Sequence, residues 1–166
     1  METRKVARAI VLVAIGVALS PFTSIPIGIA RINPAQHFVN VVGAVLLGPW
    51  WATGIALAIG VLRNALGTGT LLAFPGGMIG AFLAGLAYQF TRNLYVGALG
   101  EVLGTGFFGA VVSVLIIAPV FMGKAMAMGA LMIAFSGSTL LGSILGILAL
   151  RLLERAGFVR LKSKGA

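Results

Sequence analysis

The sequence predicts an all-α membrane protein, a six-transmembrane-helix bundle with both termini cytoplasmic, and three observations carry that reading. Of its 166 residues 60% are hydrophobic and only 9% charged, and the mean hydropathy is +1.11, far from the mixture of a soluble domain. The apolar residues form unbroken runs rich in Ala, Leu and Gly, not the alternating strands of a barrel. At about 20 residues per span plus short loops, the length suits five or six helices in a single membrane domain, 1–166.

The basic residues then decide between five and six. With both ends inside, Arg4, Lys5, Arg8, Arg92, Arg151, Arg155, Arg160, Lys162 and Lys164 share the cytoplasmic side, leaving Arg31, Arg63 and Lys124 outside. That asymmetry is what the positive-inside rule requires of six helices.

Helix 1 is expected over about 5–20, with Ser20, Pro21 and Pro26 breaking or bending it into a loop at 23–33. Its basic start resembles that of a signal peptide, but everything downstream is also apolar, so the segment is read as a first helix. Ala14 and Ala18 stand one turn apart, a small-residue pair that lets a helix of this fold or of another protein approach closely. Helix 2, 34–47, begins at Pro34, which suits a first helical turn. It is short for a span, and Asn33, Gln36, His37 and Asn40 fall at i, i+3, i+4 and i+7, a polar stripe needing a polar neighbour.

Gly48-Pro49 makes a stop and restart, Trp50 and Trp51 suit the headgroup level, and helix 3 covers 49–66. The stretch 63–77 places Arg63, Asn64, Gly67, Thr68, Gly69 and Thr70 between two apolar runs. It reads either as the floor of a binding site or as an ordinary polar loop. Helix 4, 75–91, opens on Pro75 and carries Gly77, Gly80, Ala81, Ala84 and Gly85, a surface for close packing.

Helix 5, 94–121, is interrupted by Gly97, Gly100, Gly104, Gly106 and Gly109. It carries Glu101, the one carboxylate deep in an apolar run, with Thr105 a turn away on the same face. An ionisable group at that depth faces a wet cavity or the protein interior; an internal ion pair or a protonated, hydrogen-bonded carboxyl is the alternative. Helix 6, 125–153, has Ser136, Thr139 and Ser143 on one face and Ser138, Gly142 and Gly146 on another suited to packing. A basic tail, 154–166, follows.

Several chemistries are excluded. No phosphate-binding Gly-x-x-x-x-Gly-Lys-Ser/Thr loop exists. One histidine, no aspartate and no cysteine leave no metal-ligand spacing and no disulfide. Nothing supports a catalytic triad of a serine with His37 and Glu101, so neither an enzyme nor a cofactor is expected. The net charge of +9 sits at the chain ends and between spans, without the basic and aromatic stripe of a nucleic-acid binder. The chain is also too short for the duplicated halves of a typical secondary transporter.

Three segments carry a resemblance: Asn33-Pro-Ala-Gln-His-Phe-Val-Asn-Val-Val-Gly-Ala-Val-Leu-Leu-Gly-Pro-Trp, Leu62-Arg-Asn-Ala-Leu-Gly-Thr-Gly-Thr-Leu-Leu-Ala-Phe-Pro-Gly-Gly-Met-Ile-Gly-Ala and Gly100-Glu-Val-Leu-Gly-Thr-Gly. They resemble the ThiW family, substrate-binding S components of energy-coupling-factor (ECF) vitamin transporters, and the likeness covers essentially the whole chain. It implies a six-helix, multi-pass protein of the prokaryotic plasma membrane that captures a thiamine precursor, the thiazole moiety hydroxyethylthiazole, from outside. It also implies a transmembrane T component and two ATPase subunits as partners, with toppling in the membrane to release substrate. Ala14 and Ala18 match the motif by which first helices of S components contact the T component.

For such a ligand the residues offer His37 and Asn40 from helix 2, Asn64 and Thr68 from the third loop, Glu101 and Thr105 from helix 5, and Phe74 as an apolar wall. The loop 23–33 is the natural lid. Arg63 has no role toward a neutral thiazole; it pairs with Glu101, tethers the loop, or meets a phosphorylated precursor. The competing functions are capture of another vitamin or precursor and a self-sufficient channel or facilitator.

Overall fold

A computed structural model describes residues 2–27 and 30–161. Among them six helices run in chain order: α1 (Glu2–Thr23), α2 (Pro34–Leu47), α3 (Pro49–Ala65), α4 (Ala73–Thr91), α5 (Leu94–Phe121) and α6 (Met128–Arg155). Between α1 and α2 lies a two-stranded antiparallel hairpin, β1 (Ile25–Ile27) and β2 (Ala30–Ile32), in which Ile25 faces Ile32 and Ile27 faces Ala30.

Local chemistry accounts for most boundaries. Asn33 caps α2 by accepting from the Gln36 N–H at 3.3 Å, and Pro34 occupies the first turn. Gly48 takes φ +91, a value side chains disfavour, and so turns α2 into α3 at Pro49. Asn93 caps α5 by accepting from the Tyr95 N–H at 2.9 Å. The differences from expectation lie at ends. Helix α1 continues through Pro21 to Thr23: the missing Pro21 N–H removes one bond of the ladder, and the backbone bonding resumes beyond it, with the Ser24 N–H donating to the Ser20 carbonyl at 2.9 Å. Helix α4 begins at Ala73, putting Pro75 third instead of first, and α6 begins at Met128. The loop expected at 23–33 carries paired strands.

Four helices, α1, α4, α5 and α6, are long and apolar enough to cross a membrane. The other two are shorter: 14 residues in α2 make about 21 Å at 1.5 Å per residue, below a ~30 Å hydrocarbon core. The bundle is built around α2, whose Val39 and Asn40 are fully buried between neighbours on several sides. Leu12 of α1, Val39, Val41 and Val42 of α2, Ile55 and Ile59 of α3 and Leu150 of α6 form its main apolar core.

Helix α5 is continuous. Its glycines do not break it; they let α4 pack against it almost backbone to backbone. A Cβ at Gly104 would lie 2.6 Å from the Gly80 Cα, and one at Gly109 would lie 2.3 Å from the Gly76 Cα. The helix instead widens into π turns at Gly104–Gly109 and Ser113–Phe121, and the first of these holds Thr105, at a place where such widenings commonly accompany function.

The first turns of α1 and the segment 158–161 meet at one end of the bundle, where Arg8, Arg92 and Arg160 line a common hollow of about 330 Å³. Lys162 and Lys164, counted in the charge asymmetry, lie outside the described residues. At the opposite end the hairpin and the 66–72 loop join: the Ser24 hydroxyl donates to the Thr68 carbonyl at 3.0 Å and Arg31 Nη1 to the Gly67 carbonyl at 2.8 Å. Ala30 and Leu72 pack there with Ala118, Leu131 and Met126, which brings the Lys124 loop to the same end.

Candidate functional site

Glu101 is fully buried and collects two donors from α2 and one from its own helix. His37 Nδ1 lies 2.8 Å from its Oε1, Asn40 Nδ2 donates to the same oxygen at 3.0 Å, and the Thr105 hydroxyl lies 3.1 Å away. Asn40 uses its second amide proton on the Gly77 carbonyl at 3.0 Å. Thr105 has a single proton to divide between Glu101 and the Gly76 carbonyl at 2.9 Å. An acceptor-only carboxylate fits this set of donors, and the donor on His37 is then Nδ1–H, leaving Nε2 as an acceptor without a hydrogen bond among the described residues. Glu101 Oε2 has none either. It is pressed against α4, where a Cβ on Gly80 would stand 2.8 Å from it, so Gly80 is what allows the carboxyl to reach this depth.

Above this cluster a small cavity of about 10 Å³ is lined by Arg31, Ile32, Asn33, Gln36, His37, Arg63, Ala73, Gly76, Thr105, Phe135 and Ser138. That is room for about one water, against the ~300–1,000 Å³ of sites that hold small molecules. The site is closed, and its roof is the hairpin, which contributes Arg31 and Ile32. Asn33 fixes the hairpin's base. It accepts from the Thr23 hydroxyl at 2.8 Å, donates through Nδ2 to Ser20 Oγ at 3.0 Å, and its backbone N–H donates to Ser138 Oγ at 3.0 Å. One residue, through its side-chain amide and its backbone N–H, thus joins α1, α2 and α6.

Arg63 is 1% exposed. It donates through Nη1 to Gln36 Oε1 and through Nη2 to the Thr68 carbonyl at 3.1 Å. It does not form an ion pair with Glu101, whose titratable neighbour is His37. Of the three roles the sequence left to it, the loop tether is the one seen, with Gln36 as a further partner.

The other sequence candidates are arranged in layers. His37, Arg63 and Thr105 line the cavity, while Asn40 and Glu101 stand behind them. Asn64, Thr68 and Phe74 are not among the lining residues. Asn64 Nδ2 donates to the Gly60 carbonyl at 2.9 Å, the Thr68 hydroxyl to the Arg63 carbonyl at 3.3 Å, and the Phe74 ring packs on Gly60 of α3. Sequence reasoning passed over Gln36, Arg31, Phe135 and Ser138 as site residues. Gln36 was legible in the same helical stripe as His37. Ser138 lay in a stripe of small residues that looked like packing alone, and indeed Gly142 and Gly146 beside it do receive α2.

Ala14 and Ala18 lie elsewhere, in a groove of about 810 Å³ between α1 and α3 lined by Val6, Ile10, Val13, Val17, Trp50, Trp51 and Ala58 among others. It is almost wholly apolar and contains none of the polar cluster.

Among the described residues no three His, Cys, Asp or Glu side chains gather as a metal site. The family model ThiW, described as thiamine-precursor transporter protein, matches residues 6–156. No curated protein matches the chain.

Proposed function

The chain belongs to the ThiW family of thiamine-precursor transporter proteins, and from that premise we propose that it is the substrate-capture component of an ECF-type importer. Its ligand is a thiazole-type precursor, hydroxyethylthiazole or a close derivative, bound from the extracellular side between the hairpin and the Glu101 cluster. The bundle crosses the prokaryotic plasma membrane six times with both termini cytoplasmic. It binds without catalysis, and a T component with two ATPases supplies the work.

The observation that carries this reading is the convergence of His37, Arg63 and Thr105 from three helices on one cavity backed by Glu101 and roofed by the hairpin. His37 Nε2 suits a ligand hydroxyl or ring-bound donor, and Phe135 and Ala73 supply apolar wall for a heteroaromatic ring. Since the closed cavity holds about one water's volume, the hairpin must lift for entry. It is held to the 66–72 loop by two side-chain hydrogen bonds, from Ser24 and Arg31, a small number to break. The apolar α1/α3 groove with Ala14 and Ala18 is the face for the T component, kept apart from the ligand end.

Purified protein titrated with hydroxyethylthiazole and, separately, with a hydroxymethylpyrimidine tests the reading. Thiazole at about 100 times its Kd should raise stability by about 2.7 kcal/mol, and the pyrimidine should not. Uptake into vesicles should require the T component and the ATPases. Stabilisation by neither compound removes the neutral alcohol as the ligand, stabilisation by the pyrimidine alone removes the thiazole assignment, and flux through this chain alone replaces capture with facilitation.

A further inference from the structure

We propose that the ligand of this site carries an oxyanion, a carboxylate or a phosphate monoester, that docks on Arg63 and Arg31; the proposal rests on the thiazole-capture reading and names the form of the thiazole. The chain has three side-chain carboxylates. Glu2 and Glu154 are engaged with Lys5 and Arg151, each at 3.2 Å on exposed helix surface. Glu101 is engaged by His37 at 2.8 Å. No carboxylate among the described residues stands within ion-pair distance of Arg63 or Arg31, although both line the cavity.

Arg63 is the sharper case because it is buried. A guanidinium withdrawn from water without a counter-charge is among the costliest groups a protein can hold. Its two bonds to protein go to neutral oxygens, those of Gln36 and Thr68. A neutral amide could tether the same oxygens at far lower desolvation cost. Nε is buried with no hydrogen-bond partner, and of the five N–H groups of the fork only two are committed. A fork with unused donors, beside a second arginine in the roof, is the geometry that receives a carboxylate or phosphate. Bringing such a group in would compensate the buried charge and, through Arg31, draw the hairpin down over the ligand.

Calorimetric titration of the purified protein with three ligands tests this: hydroxyethylthiazole, its phosphate monoester, and a thiazole carboxylate of similar size. At least one oxyanionic thiazole should bind ten times or more tighter than the neutral alcohol, and which one identifies the group. Arg63→Gln should bring that ratio close to one. If Arg63→Gln does not purify folded, Arg63→Lys and Arg31→Gln take its place, and a ratio that neither lowers overturns the proposal. Equal or tighter binding of the neutral alcohol overturns the oxyanion and leaves thiazole capture standing. Binding of none of the three overturns thiazole capture and this proposal together.

Discussion

Glu101→Gln keeps the side chain's size and one acceptor oxygen while removing its charge. In the folded protein Asn40 Nδ2 at 3.0 Å and His37 Nδ1 at 2.8 Å both address Oε1. Hydrogen bonds to a charged partner contribute about 1.5–3 kcal/mol and neutral ones about 0.5–1.5. The two bonds together therefore lose on the order of 2 kcal/mol. Relief of a buried carboxylate opposes this, so the net loss of stability should stay below about 2 kcal/mol and the helical fold should survive.

Binding should suffer more, because the amide holds the His37 ring less firmly in the tautomer that presents Nε2 to the cavity. A loss of about 1.4 kcal/mol there corresponds to about tenfold in Kd. Circular dichroism melts report the first quantity and calorimetric titration the second. Glu101 does not line the cavity itself, so on the proposed reading its effect runs through His37, and a double-mutant cycle with His37→Ala should show the two losses to be strongly non-additive. Unchanged affinity in a folded Glu101→Gln protein would refute this account, and additive losses would refute the route through His37.

Other outcomes follow from the same geometry. Gly142→Ala places a Cβ 2.3 Å from the Pro34 carbonyl oxygen and 2.6 Å from His37 Cβ; α2 must shift, so the variant should lose about 1–3 kcal/mol of stability and, with His37 displaced, ligand affinity too, both read by thermal melts with and without ligand. Asn33→Ala removes the cap of α2 and the clamp to Thr23 and Ser20, and should cost at least the ~1 kcal/mol of a lost cap while speeding ligand release in stopped-flow measurements. Ala14→Leu with Ala18→Leu fills the α1/α3 groove; co-purification with the T component should fall sharply while thiazole binding by the isolated chain stays as it was.

The sequence by itself determined the helices, because each depends on neighbours in the chain. Unbroken apolar runs, Pro34 and the Gly48-Pro49 stop are local features that start or end α2 and α3, and the Asn33 and Asn93 caps seen in the structure act just as locally on α2 and α5. It also singled out Glu101 and the stripe of His37 and Asn40, since polar groups in apolar helices announce themselves. Partners were another matter. His37 meets Glu101 across 64 residues of chain, and Arg63 meets Gln36 instead of Glu101. Those choices depend on how each helix is rotated and how near it can come, which Gly80, Gly104 and Gly142 decide through contacts with other helices. The hairpin roof and the nearly filled cavity likewise arise only when three loops meet at one end. No local pattern encodes them, because a cavity is a property of the space between elements.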